Sequence, residues 1–132
     1  MVLVDTSVWI EHLRRGCPGL EFLLDEGDVL GHPFIIGELA CGRLSRRAEI
    51  LALLRSLPQA AVADLEEVLS FLDTHRLIGV GLGFIDIHLL AAARLHQALL
   101  WTLDRTLQRT AERLGVGFIA QAGPKKSRRG PT

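Results

Sequence analysis

Four carboxylates stand where apolar sequence should continue: Asp5 directly after Val2, Leu3 and Val4, Glu38 within "FIIGELA", Asp86 within "GFIDIHLLAAA", and Asp104 after "LLWTL". An ionised carboxylate buried alone is costly, so each needs hydrogen-bond donors, a cation or a raised pKa. Taken singly, Asp5, Asp86 and Asp104 can cap or start helices, and Glu38 can point to solvent. Capping alone does not explain an acid among Ile35, Ile36 and Leu39, nor two acids at equivalent strand ends; one shared site explains all four. Clustered oxygen donors without nearby cysteine or paired histidine suit hard divalent ions, chiefly magnesium or manganese. Such ions polarise phosphoryl oxygens, acidify bound water and stabilise a leaving oxygen, so the chemistry indicated is phosphodiester hydrolysis. Without metal, gathered like charges should raise the carboxylate pKa values.

The elements that must position these acids alternate between short apolar runs and helical spacing. Residues 2–4 read as a buried strand, and "SVWIEHLRR" follows with helical periodicity. Residues 20–25 suggest a short helix and "DVLGH" a brief strand, with Pro33 suited to the first turn of a helix carrying "FIIGELACGRL". Residues 45–56 and 64–75 form two amphipathic helices, the second capped by Asp64. A long helix over roughly 84–97 precedes "ALLWTLD", where the opening pattern of strand then acid recurs. "RTLQRTAERLG" reads as a helix stopped at Gly115, and "VGFIA" as a last strand. Alternating strands and helices predict an α/β parallel sheet covered on both faces, with the site beyond the carboxyl ends of its strands.

The whole chain has 132 residues, 48% of them hydrophobic, enough for one domain with its own core. Of its 15 basic residues four, Lys125, Lys126, Arg128 and Arg129, lie in "GPKKSRRGPT", so 11 face the 15 acids of the preceding body. That stretch is expected to be a disordered basic tail over 123–132, either simply solvated or a loose contact for nucleic acid. Cys17 and Cys41 have no metal-ligand or disulfide spacing, which fits a reducing cytoplasm. The longest apolar stretch is broken by Asp86 and His88, and Asp5 and Glu11 interrupt any secretory signal, so neither a membrane span nor export is expected.

In order and spacing, "VLVDTSVWIEHL", "GELACG", "GFIDIHLLAAA" and "LWTLDRTL" resemble the PIN-domain ribonucleases, particularly the VapC-type toxins of bacterial toxin–antitoxin pairs. The resemblance runs from residue 2 to about 119. It implies a PIN-like α/β/α sandwich over residues 1–122, with a central parallel sheet of about four to five short strands. It also implies a metal-dependent endoribonuclease that cuts transfer or ribosomal RNA, forms a homodimer and is held in check by a VapB-like antitoxin. Carried over by position, the catalytic acids are Asp5, Glu38, Asp86 and Asp104. Asp5, Asp86 and Asp104 would hold the metal (Mg2+ or Mn2+), and Glu38 would help hold it or orient water. Thr6, Ser7 and Thr102 would support these ligands by hydrogen bonds, and Thr6 and Ser7 can also cap the following helix.

Other readings are weaker. Aspartate-based phosphotransfer enzymes and receiver domains also place an acid after the first strand, but both need a pocket lysine, and residues 1–122 contain none. "GVGLG" follows a helix, so it is no dinucleotide fingerprint. A catalytically idle PIN-like module that binds RNA or protein is the non-enzyme alternative. His88 is expected to pack rather than act as a base, and Trp9 and Trp101 to be core or interface aromatics. His12, Arg14, Arg15, Arg43, Arg46 and Arg47 either line an RNA path or are solvated.

Overall fold

Three short strands pair in parallel in the order β2-β1-β3 in the computed structural model, which describes residues 1–120. The central β1 (Val2–Val4) runs beside β2 (Val29–Leu30) with Val2 opposite Val29, and beside β3 (Leu99–Trp101) with Val2 opposite Leu99 and Val4 opposite Trp101. All three β1 residues are buried, as expected of a parallel strand covered on both faces. Helices α1 (Thr6–Arg15) and α2 (Pro18–Asp25) connect β1 to β2. Helices α3 (Pro33–Cys41), α4 (Arg47–Ser56), α5 (Leu65–Thr74) and α6 (Phe84–Leu95) connect β2 to β3, and α7 (Arg105–Arg113) follows.

The ladder is narrower than the four to five strands expected. "VGFIA" forms one bridge, Leu100 with Gly117, in which the Leu100 N–H donates to Val116 at 2.6 Å and the Phe118 N–H donates to Leu100 at 2.9 Å. Pairing stops there, with Ile119 left in solvent. Gly117 lies against α7 so closely that an added Cβ would come within 2.6 Å of the Glu112 side chain and 3.0 Å of its backbone nitrogen. The opposite edge gains a similar single bridge between Gly31 and Gln59. Among the described residues the sheet therefore has three strands with one bridge at each edge.

Local chemistry sets the helix ends. Pro18 starts α2 two residues before the expected position, because proline suits a first turn whose N–H has no partner. Arg46, in left-handed backbone (φ 53°), delays α4 to Arg47. Asp64 and Glu67 close a reciprocal capping box on α5, each bond 2.8 Å. Gly115, at φ 77°, ends the chain's run through α7 in a conformation glycine adopts freely. Leu3, Trp9, Leu20, Leu89, Leu90, Leu100 and Leu107 are all fully buried and fill the space between helices and sheet. No helix of the described residues is long and apolar enough to cross a membrane. The proposed basic tail lies outside the described residues.

One buried group near the carboxyl end of β2 was not singled out by the sequence. His32 is fully buried, and its Nδ1 accepts the Phe34 N–H at 3.0 Å, which caps α3. Its Nε2 has no hydrogen-bond partner among the described residues, nor does Nδ1 of buried His88. The two rings share an aromatic cluster in which Phe34 and Phe84 meet His88 edge-on at 4.7 and 4.5 Å. Burial, reinforced by the neighbouring His88 and His96, lowers the His32 pKa from 6.5 to about 4. Between those values the unfolded chain takes up a proton that the folded chain refuses, so stability should fall as pH drops from about 6.5 towards 4. The loss from this residue should approach about 3 kcal/mol. Burial of His88 adds a contribution of the same sign. Urea unfolding at pH 7 and pH 4.5 measures it, and His32→Asn, which keeps a capping acceptor, should flatten the dependence; an unchanged slope would refute the assignment.

Candidate active site

Asp5 continues the pairing of β1, since its N–H donates to the Trp101 carbonyl at 2.9 Å. The residue is 8% exposed, and its Oδ2 accepts two hydroxyl bonds, from Ser7 at 2.8 Å and Thr102 at 2.7 Å. Each hydroxyl, having spent its proton on Asp5, uses a lone pair to accept a backbone N–H. Ser7 accepts from Leu103 at 3.0 Å and Thr102 from Asp104 at 3.0 Å. The start of α1 is thereby clasped to the turn after β3, and Asp104 is tied to Asp5 through a single hydroxyl.

The other three acids arrive on helices. Asp104 sits at the N-cap of α7, where Oδ1 accepts the Leu107 N–H at 2.9 Å. Asp86 lies in the first turn of α6, with Oδ2 accepting the Gly83 N–H at 3.0 Å. Glu38 lies on the exposed side of α3, and its Oε1 accepts the Thr6 hydroxyl at 2.7 Å. Each carboxylate thus has one oxygen held by the protein, while no donor among the described residues reaches Asp5 Oδ1, Glu38 Oε2, Asp86 Oδ1 or Asp104 Oδ2. None of the four forms an ion pair with a basic side chain among the described residues.

The charges of the other three nonetheless reach Asp86. The Asp86 pKa is raised chiefly by burial and further by the charges of Asp5, Asp104 and Glu38, against the opposing Gly83 N–H. The arrangement is open: among the described residues no three Asp, Glu, His or Cys side chains close into a cage around an ion. Asp5, Asp86 and Asp104, expected to hold a metal together, do not form a closed ligand set among the described residues, although the charges of Asp5 and Asp104 act on Asp86. Four carboxylates with free oxygens and no protein counter-charge still fit a hard divalent ion that keeps most of its water. The capping role foreseen for single acids is met at Asp104, which caps α7 through Oδ1 and leaves Oδ2 free.

A family model described as PIN domain matches residues 2–113. The chain belongs to the PIN-domain family. Among curated proteins this PIN domain is similar to ribonuclease VapC32 of Mycobacterium tuberculosis, from two strains. In each case 44% of 122 aligned residues are identical, over 92% of this chain and 98% of the relative. Among solved structures it is similar in fold to PAE2754 from Pyrobaculum aerophilum, with a TM-score of 0.60 and 19% identity, over 86% of this chain and 90% of that one.

Within this PIN domain, some residues depart from what the sequence suggested and others meet it. Thr6 and Ser7 do not cap α1; their hydroxyls go to Glu38 and Asp5 instead. Trp9 and Trp101 are core residues, and His88 packs among aromatic rings. Of the basic residues considered for an RNA path, His12 is occupied, since its Nδ1 accepts the Cys17 N–H at 3.2 Å. Arg15 pairs with Glu11 and Arg46 with Glu49, and Arg47 donates to the Gly42 carbonyl at 3.4 Å. Arg105 and Arg109 escaped notice, although their spacing of four in "RTLQRT" places them on one face of α7 beside Asp104.

Proposed function

We propose that this chain is a divalent-metal-dependent endoribonuclease acting as the toxin of a toxin–antitoxin pair. The observation that carries the proposal is the set of four carboxylates, each with one oxygen fastened and one free, gathered without a counter-cation. The 44% identity to a protein named ribonuclease VapC32 supports the same activity and, through it, an antitoxin partner.

In this mechanism Asp5, Asp86 and Asp104 would hold magnesium or manganese. The bound ion would supply charge neutralisation for phosphate and acidify water. Asp5 is the rigid member, because Ser7 and Thr102 fix its carboxylate plane. Glu38, steadied at one oxygen by Thr6, has its second oxygen free to orient the attacking water and accept its proton. Attack forms the new P–O bond as the bond to the leaving ribose oxygen breaks and that oxygen takes up a proton. Transfer or ribosomal RNA is the proposed substrate class, a VapB-like antitoxin and a second copy of the chain the proposed partners, and the cytoplasm the proposed setting.

The test is incubation of the purified chain, freed of any bound antitoxin, with total bacterial RNA. Cleavage should appear with magnesium or manganese and disappear with excess chelator. No cutting of any RNA with either ion would move the assignment to a module that binds without catalysis.

A further inference from the structure

Two grooves each take in one of the four acids. One, about 910 Å³, lies between α1, α3 and the connection to α4, and its wall contains Glu38 together with Arg14, Arg43 and Arg46. The other, about 520 Å³, contains Thr102 and Asp104 together with Arg105, Gln108, Arg109 and Glu112, whose carboxylate accepts the Gln108 side-chain amide at 2.8 Å. Helix α3 follows the edge strand β2 and α7 follows the edge strand β3, whereas Asp5 ends the central strand. The α3 wall of the first groove and the α7 wall of the second thus belong to helices that follow opposite edges of the sheet.

Their arginines are available. Arg14, Arg43, Arg105 and Arg109 are exposed, and no acceptor or carboxylate engages them among the described residues, while Arg15 and Arg46 are paired. The body ahead of the basic tail has more acids than bases, so a pair of such cations in each groove is no echo of a generally basic surface. A centre of four uncompensated carboxylates repels phosphates, so affinity for a polyanion has to come from its flanks.

We propose that the two grooves form one track for a single RNA strand, with Arg14 and Arg43 holding backbone phosphates on the Glu38 side of the cut and Arg105 and Arg109 on the Asp104 side. The track rests on the ribonuclease reading and adds where the substrate lies. Unpaired arginines spaced along a groove can follow the backbone of a flexible single strand, whereas duplex RNA is read across its broad minor groove.

Binding of a fluorescent, mixed-sequence single-stranded RNA to the full chain, followed by anisotropy in chelator over a range of salt, tests it without cleavage. Changing all four arginines to glutamine should weaken binding about tenfold or more near 0.1 M salt and reduce the slope of log affinity against log salt by about 3. Lysine at the same four positions should restore most of the slope. Arg55→Gln with Arg76→Gln, two exposed arginines outside both grooves, should change little. Wild-type affinity and slope in the fourfold glutamine variant would overturn the track and leave the grooves to a protein partner, as would equal losses in the Arg55/Arg76 control. A chain that cuts RNA but is indifferent to the four arginines refutes the track alone. A chain that needs them for binding yet never cuts with magnesium or manganese refutes the nuclease reading alone.

Discussion

Asp5→Asn should leave the protein folded while reducing metal-dependent RNA cleavage at least about a hundredfold. The asparagine oxygen can accept the same two hydroxyl bonds that Ser7 and Thr102 give Asp5, so the clasp between α1 and the turn after β3 survives. What disappears is one negative charge from a group of four that has no counter-cation. The melting temperature should therefore stay level or rise in the absence of metal, and the gain from adding magnesium should shrink. Thermal melts with and without magnesium, run beside the cleavage assay, separate the two effects. A folded and fully active variant would mean that the Asp5 charge is not needed for the reaction, and an unfolded one that the fold itself depends on that charge.

Trp9→Ala should have the opposite profile. Trp9 is 1% exposed and anchors α1 through its packing, with His12 edge-on at 6.1 Å. Removing a buried indole costs about 3–5 kcal/mol, the lost transfer energy plus a cavity that the surroundings only partly fill. A drop of about 10 °C or more in melting temperature follows for a domain of this size. Cleavage per folded molecule at low temperature should change far less than in Asp5→Asn, because no carboxylate is altered. A melting shift below about 3 °C would show that α1 is not held by this side chain.

The sequence made the acids legible because each interrupts an apolar run. Asp5 and Asp104 could be matched as strand-end acids before any contact was known, and Pro33, Asp64 and Gly115 marked helix boundaries through rigid φ, capping and left-handed backbone. Strand number was less legible, since "VGFIA" has the composition of a buried strand, and only the close approach of Gly117 to α7 and the exposure of Ile119 reveal a single bridge. The hydroxyls misled for a similar reason. Threonine and serine at a strand-to-helix junction are good caps, and nothing local says that their partners are Glu38, 32 positions away, and the turn at Leu103, 96 positions away. His32 was invisible because one histidine before a proline looks like a loop residue. Its burial comes from His88 and Phe34, which meet it only in the folded chain.

The hydroxyl clasp around Asp5 also sets when a growing chain can become active. Asp5 and Thr102 are 97 positions apart, so the Asp5 carboxylate has no fixed plane until β3 has been made and has paired beside β1. At the usual pace of synthesis, about 5–20 residues per second, that interval lasts roughly 5–20 s after Asp5 is joined. During it a ribosome carries the first acid of a nuclease, beside abundant RNA, with no assembled centre to cut it. An inhibitor that binds the helices made earlier would have those seconds to arrive first.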